Sequence, residues 1–376
     1  MDVSYTRRSF VAQLAAAAFS SRVSYVVAGD SAQDRALVTD DPLEQLVPRL
    51  QDVISQTVQT HSVPGLSVAL IRDAQIAWTG GFGVQDKESG EPVDADTVFE
   101  AASLTKPLLA YAALALCEQG RLELDQPLAG LLEEPFTGEQ SELLQQVTAR
   151  HVLTHTTGFP NWRARGRSLK FLRPPGEKFS YSGEGFVYLQ RVVERLTDQP
   201  LNEYLGQKLF TPLGMASASL VWRDEYEQSL ARGYPPNGKG RGMRRKFTEA
   251  NAASSLVCTA SDYARFVCAL LAPPKAAEHF LSLNRVDQMW KSQVEVIEGV
   301  SWGLGIGVEH TTTGDAFWHW GNNGSRYNCF AVAFPQSKVG LVVFANSGNG
   351  LKACTEIVPA AIGGDHPALR WKMVVR

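Results

Sequence analysis

The sequence predicts an α/β (α+β) fold: a largely antiparallel sheet built from both chain ends, flanked by helices, with a mostly helical region inserted at about 126–293. Three observations carry this. Two apolar runs near the start, 66–71 and 75–82, are separated by Asp73-Ala74, a strand–turn–strand pattern. The middle of the chain carries helical periodicity, with loops rich in Pro and Gly between the periodic stretches. Strand-like runs then return at 303–309, 316–321, 328–334 and 339–345. Early strands, helices and late strands join as one mixed sheet with an insertion.

The elements follow in chain order. Asp41 and Pro42 supply a cap and first turn for a helix reaching about Thr60. Its apolar residues Leu43, Leu46, Val47, Leu50, Val53, Ile54 and Val58 fall mostly on one face. Pro48 lies inside that pattern and predicts a kink there, or a start later than Pro42. After the two strands comes an uncharged stretch, 107–117, which predicts an apolar helix beginning near Ser103. It stops at Gly120, a residue suited to the left-handed position past a helix end. In the inserted region, 185–197, 201–210 and 261–271 read as helices. A helix over about 351–362 closes a domain expected to span 41–365.

Composition sets bounds. The 376 residues are 44% hydrophobic and 20% charged, enough for one large domain or two smaller ones. A formal net charge of -3 gives no electrostatic case for a nucleic-acid partner. The five cysteines form no metal-ligand spacing. Cys117, Cys268 and Cys329 sit in or beside apolar runs and read as buried free thiols. No internal run reaches the roughly 18–20 apolar residues of a membrane span. Residues 1–30 read as an address. Thr6-Arg7-Arg8-Ser9-Phe10 precedes an apolar run, 10–19, broken only by Gln13, which resembles a twin-arginine export signal. The expectation is export to the periplasm, with Val26-Val27-Ala28 before Gly29 as the best cleavage match. An uncleaved signal would be the one membrane attachment.

Ser103 has Lys106 one helical turn away. A serine needs a neighbour to take its proton before it attacks a carbonyl. A lysine kept from water gives up its own proton more readily. That spacing alone is one that chance supplies in a chain of this length. Other segments add to it. Tyr181 lies in Pro175-Gly176-Glu177-Lys178-Phe179-Ser180-Tyr181-Ser182-Gly183, a loop entering a helix. His319-Trp320-Gly321 ends a late strand before the turn Asn322-Asn323-Gly324. His155-Thr156-Thr157-Gly158 follows a short segment containing Val152 and Leu153. The order Ser-x-x-Lys, Tyr-Ser, His-x-Gly is far more specific than any one motif.

These motifs resemble the serine β-lactamase and penicillin-recognising family on its class C side, which includes D-Ala-D-Ala peptidases and esterases. The resemblance runs from about 46 to 362. It is carried by Val63-Pro64-Gly65, Phe99-Glu100-Ala101-Ala102-Ser103-Leu104-Thr105-Lys106 and Gly120-Arg121-Leu122-Glu123-Leu124-Asp125. Leu153-Thr154-His155-Thr156-Thr157-Gly158, Ala252-Ala253-Ser254-Ser255-Leu256 and His319-Trp320-Gly321 also carry it. It implies a β-lactamase/transpeptidase-like fold and a serine hydrolase working through a Ser103 acyl-enzyme. In that scheme Lys106 shares the serine proton, and Tyr181 relays it to the leaving group. Backbone N–H groups of Ser103 and Asn322 form the oxyanion hole. His319, Trp320 and Gly321 contact the substrate. The implied partner is a small-molecule ester or peptide, with no metal or cofactor. Physical reasoning agrees: a helix N-terminus at Ser103 favours a developing oxyanion. A tyrosine needs the nearby lysine to serve as a base.

Two departures shape the expected substrate. The family's Tyr-x-Asn is here Tyr181-Ser182-Gly183, and its Lys-Thr-Gly is here His319-Trp320-Gly321. The missing Asn normally meets the substrate's amide and the catalytic lysine. The missing Lys normally helps bind a carboxylate. Both losses favour a carboxylesterase-type activity on a small ester or simple amide. A class C-like β-lactamase or a D-stereospecific peptidase on cell-wall-like peptides is the alternative; a non-catalytic peptide- or wall-binding member is the third. His155 reads as structural, holding its loop near the site. Trp162, Trp302, Trp318 and Trp320 read as core by default, with pocket walls as the other reading. The loops carrying Arg163, Arg165, Arg167, Lys170 and Arg173, and Lys239, Arg241, Arg244, Arg245 and Lys246, read as solvated surface.

Overall fold

The computed structural model describes residues 41–136, 142–274 and 281–375. The export-signal reading of 1–30 lies outside them. Helix α1 (Leu43–Thr60) runs unbroken through Pro48 and buries Leu46, Leu50, Ile54 and Thr57, a stripe of one helical face. Strands β1 (Gly65–Arg72) and β2 (Gln75–Gly83) follow. Between them Asp73 and Ala74 both have positive φ, 51° and 57°, the backbone of a two-residue turn that matches the twist of a hairpin. Strand β3 (Phe99–Ala102) leads into helix α2 (Thr105–Glu118), and Gly120 takes the expected left-handed position with φ 68°.

The inserted region is mostly helix and loop. It holds α3 (Ala149–Leu153), α4 (Gly183–Thr197), α5 (Leu201–Leu205), α6 (Thr211–Leu213) and α7 (Tyr226–Ser229). Then come strand β4 (Leu256–Cys258), α8 (Ala260–Leu271) and α9 (Leu283–Trp290). The expected helix over 201–210 is α only to Leu205 and widens into a π turn over Gly206–Phe210. The late strands are β5 (Val294–Ile297), β6 (Val300–Trp302), β7 (Gly307–Thr311), β8 (Gly314–Asn323), β9 (Tyr327–Phe334) and β10 (Val339–Ala345). Helix α10 (Gly350–Ile362) comes last.

The expected single strand over 303–309 is not formed. A turn closed by Gly303 N donating to Ile306 O (2.8 Å) separates β6 from β7. The chain passes so close to α9 there that a Cβ on Gly303 would lie 2.3 Å from Met289 O. The packed chain also continues past 365: a 3-10 turn, Pro367–Arg370, follows, and Ala368, Leu369 and Val374 are buried.

Eight strands form one sheet in the order β2-β1-β10-β9-β8-β7-β6-β5, with every pair antiparallel. β1 from the start of the chain thus lies against β10 from its end. Because side chains alternate across a strand, one sheet feeds two cores. Leu66, Val68 and Leu70 of β1 join Leu341 and Val343 of β10 and the apolar faces of α1 and α10. Ala69, Ile71, Val342 and Phe344 face the other way, into the core of α2, α8 and the inserted region. β3 and β4 pair in a separate two-stranded sheet. All five cysteines are free; Cys117, Cys258, Cys329 and Cys354 are buried and Cys268 is half-buried. No described helix is long and apolar enough to cross a membrane.

Candidate active site

Ser103 stands at the corner where β3 turns into α2. The corner is made by Ala102, whose φ of 51° is left-handed and costly for a residue with a Cβ. Local bonds hold it. Thr105 Oγ1 donates to Ala102 O (2.6 Å), and Leu256 N on β4 donates to Thr105 Oγ1 (3.0 Å). The turn that follows puts Lys106 Nζ 3.0 Å from Ser103 Oγ. Nζ also donates to Ala253 O at 2.8 Å. Lys106 is only 1% exposed, and among the described residues no carboxylate pairs with it. Burial without a counter-charge holds its pKa well below the ordinary 10.5. The ring of Tyr181 lies 4.8 Å from Nζ and that of Phe186 5.6 Å.

Tyr181 is delivered by the loop before α4, and His155 holds that loop. Ser180 N donates to His155 O (2.7 Å) and Ser182 N donates to His155 Nδ1 (3.0 Å). The His155 ring packs 4.3 Å from the Tyr181 ring. Since Nδ1 accepts, the neutral ring carries its proton on Nε2. Burial, then the charges of Lys106 and His319, keep His155 well below the usual histidine value. His155 is thus a scaffold residue, as read from the sequence. The Tyr181 hydroxyl is buried and makes no hydrogen bond of normal geometry among the described residues. Burial pushes its pKa up, while Ser103 is near enough to pull it partly back.

A cavity of about 720 Å³ opens over these groups. Ser103, Lys106, Tyr181, Trp320 and Asn322 line it. β7 pairs with β8 only as far as Trp318, so the last residues of β8 have no strand on that edge and face the β3–α2 corner. Asn322 thus lines the same cavity as Ser103. His319 and Gly321 do not line the cavity, contrary to expectation. Gly321 packs on β3, where a Cβ would lie 2.6 Å from Ala101 O. His319 is 1% exposed; its Nδ1 donates to Trp320 O (2.8 Å), and burial, then Lys106, lower its pKa to about 3. Of the four tryptophans weighed as core or pocket wall, Trp162 and Trp320 line the cavity, whereas Trp302 and Trp318 are fully buried.

Several groups around the site carry no motif in the sequence. Glu100 is 0% exposed; its Oε2 accepts from Asn323 Nδ2 (2.7 Å) and pairs with Arg245 Nη2 (3.0 Å). Asn323 Nδ2 also donates to Ser254 O (3.0 Å), which ties the turn beside Asn322 to the cavity wall. Burial raises the Glu100 carboxyl pKa and the Arg245 charge opposes that. A lone acid between Phe99 and Ala101 was the available signal. Two cations expected to be plain surface have buried partners: Arg245 on Glu100, and Arg163, whose guanidinium holds Glu184 Oε2 at 2.7 and 2.9 Å. Met373, beyond the expected domain end, also lines the cavity. Among the described residues lining it, Lys106 is the one cationic side chain.

The profile of the Beta-lactamase family matches residues 50–356. The unguisins hydrolase ungD' of Aspergillus campestris (strain IBT 28561) is 26% identical over 281 residues, 67% of this chain and 51% of that protein. Esterase EstB of Burkholderia gladioli is 32% identical over 206 residues, 47% of this chain and 52% of that protein. The chain thus spans about half the length of these curated relatives. Among solved structures, the octameric penicillin-binding protein homologue from Pyrococcus abyssi superposes with a TM-score of 0.73 at 25% identity, over 84% of this chain and 76% of that one.

Proposed function

The chain belongs to the beta-lactamase family of serine hydrolases, and from that premise we propose that it hydrolyses a small neutral ester through an acyl-enzyme on Ser103. One observation carries this reading. A lysine amine, buried without a counter-charge, lies 3.0 Å from a serine hydroxyl in a cavity lined by no other cation among the described residues.

The groups divide the work as follows. In its neutral form Lys106 donates to Ala253 O and offers its lone pair to the Ser103 hydroxyl. As Ser103 Oγ bonds to the ester carbonyl carbon, its proton passes to Lys106. The carbonyl oxygen becomes an oxyanion, held by the N–H groups of Ser103, just before α2, and Asn322, near the end of β8. Tyr181 passes a proton to the alkoxide and takes the one that Lys106 holds, the C–O bond breaks and an alcohol leaves. Water then attacks the acyl carbon, gives its proton to the same groups, and the acid departs as Ser103 regains its hydrogen.

Charge separates an ester from the alternatives. β-lactams and D-Ala-D-Ala peptides carry a carboxylate that needs a cation. Here Arg163 is clasped by Glu184 and Arg245 by Glu100. The relative named as an esterase supports the same class. The test offers the protein a short-chain p-nitrophenyl ester, a chromogenic cephalosporin and a D-Ala-D-Ala peptide, alongside Ser103→Ala. Ester turnover should lead, vanish in Ser103→Ala, and stop when a fluorophosphonate labels Ser103. Faster cephalosporin or peptide hydrolysis, or an unlabelled Ser103, would overturn the reading. We also propose that Arg7 and Arg8 direct export; the double Arg→Lys variant should stay in the cytoplasm, and its appearance outside would end that reading.

A further inference from the structure

Trp162 is 47% exposed and lines the cavity that holds Ser103. An exposed indole is usually free to swing, but this one is fastened on both sides. Gly183 N donates to Asn161 Oδ1 (2.9 Å) and to Asn161 O (3.0 Å), and Glu184 N donates to Asn161 O (3.1 Å). Arg163 N donates to Glu184 Oε1 (2.8 Å), and its guanidinium holds Glu184 Oε2. The segment 161–163 is therefore stitched to the first residues of α4. Between the stitches the indole lies against Gly183. A Cβ there would come 2.6 Å from Cζ2, 2.7 Å from Cη2 and 3.0 Å from Cε2 of Trp162. The space a side chain at 183 would need is filled by a six-membered aromatic ring.

We propose that Trp162, seated on Gly183, is a specificity-determining residue that binds an aromatic group of the ester substrate. This rests on reading the Ser103 cavity as the substrate site. Position 183, two residues after Tyr181, offers no polar side chain to a substrate amide. An aromatic surface takes its place in a cavity also lined by Phe179, Trp320 and Met373. A substrate ring packs against an indole offset or edge-on and removes apolar surface from water. An acylamino group laid on the ring itself would find no hydrogen-bond partner on that face, and the polar side chains Asn161, Ser254 and Asn323 line other parts of the cavity. The class that the ring favours is therefore an aryl-bearing ester.

The experiment reads binding, so it does not depend on turnover. Ser103→Ala is titrated with ethyl phenylacetate and with ethyl butyrate by calorimetry. The aryl ester should bind more tightly. Adding Trp162→Ala should weaken the aryl ester on the order of tenfold, the factor given by about 1.4 kcal/mol of lost ring burial, and ethyl butyrate by under about threefold. Trp162→Phe should keep most of the affinity. Gly183→Ala must unseat the indole, so it should weaken the aryl ester as Trp162→Ala does, and the two losses should not add. Equal loss for both esters, additive losses, or no preference for the aryl ester would overturn the proposal. Trp162-dependent binding in a wild-type protein that turns over no ester would instead overturn the hydrolase reading and leave only the aromatic-binding surface at Trp162.

Discussion

Lys106 and His366 are both almost wholly buried, yet the fold treats their charges in opposite ways. His366 Nδ1 meets Glu309 Oε1 at 2.7 Å and its Nε2 meets Gly363 O at 2.9 Å. Both partners are acceptors, so the ring is set up to carry two protons. Glu309 Oε2 accepts from Ala368 N (3.3 Å), which leaves neither carboxylate oxygen idle. Burial lowers the pKa of His366, but Glu309 and Gly363 outweigh it, and the net shift is upward. Lys106 has Ala253 O and Ser103 Oγ as acceptors and no carboxylate among the described residues, so burial alone acts and its pKa falls. A buried charge with every atom partnered ties β7 to the C-terminal turn. A buried amine denied a counter-ion becomes a base.

The largest expected effect separates the two directly. Lys106→Met removes the base and fills its volume with apolar atoms. kcat/KM on the ester should fall by about 10²–10⁴, while the denaturant midpoint should not drop. A large loss of stability would mean that Lys106 holds the fold instead. Glu309→Ala should do the reverse. It leaves a buried imidazole without its acceptor, and unfolding measurements should show a loss of about 3–5 kcal/mol. Steady-state kinetics on the folded fraction should stay at the wild-type level. Tyr181→Phe tests a finer point. Its buried hydroxyl makes no hydrogen bond of normal geometry among the described residues, so stability should not fall, while kcat/KM should fall by about 10² if the hydroxyl moves a proton.

The smallest effects are those of pH. The acid limb of kcat/KM should be the loss of the neutral amine of Lys106, with its midpoint well below 10.5. His155 and His319 are both held neutral, so neither should add a limb near the ordinary histidine value of 6.5. A limb there that vanished in His319→Gln would assign that histidine a direct role. Stability should run the other way. Because the folded pKa of His366 is raised, its contribution is fully present below 6.5 and is lost as pH rises through the folded value. Glu309→Gln should flatten that dependence in a melting series across pH.

The hairpin of β1 and β2 and the strands β8 to β10 were legible because apolar runs bounded by turn residues report local structure directly. The break between β6 and β7 was not, because it follows from the approach of α9 to Gly303. β3 and β4 escaped notice as strands of four and three residues whose pairing joins positions far apart in the chain. In the site, Ser103, Lys106, Tyr181, Trp320 and Asn322 line one cavity. His319 and Gly321 belong to the same motif but leave the cavity, because alternate residues of a strand go to opposite faces. Glu100 carried too little local signal to be assigned, and Trp162, read as core by default with a pocket wall as the other reading, is 47% exposed and lines the cavity.

Covalent neighbours set the one-turn spacing of Ser103 and Lys106, the apolar helix behind them, and the glycine at 183. What those residues meet is set by the fold. The pKa of Lys106 depends on Ala253 being near and on carboxylates being far, and the ring on Gly183 comes from a loop that precedes it by some twenty residues. Closing β1 onto β10 and folding the inserted region over α2 sets those distances. Chemistry that rests on exclusion from water and on missing partners can be read only once every neighbour has a place.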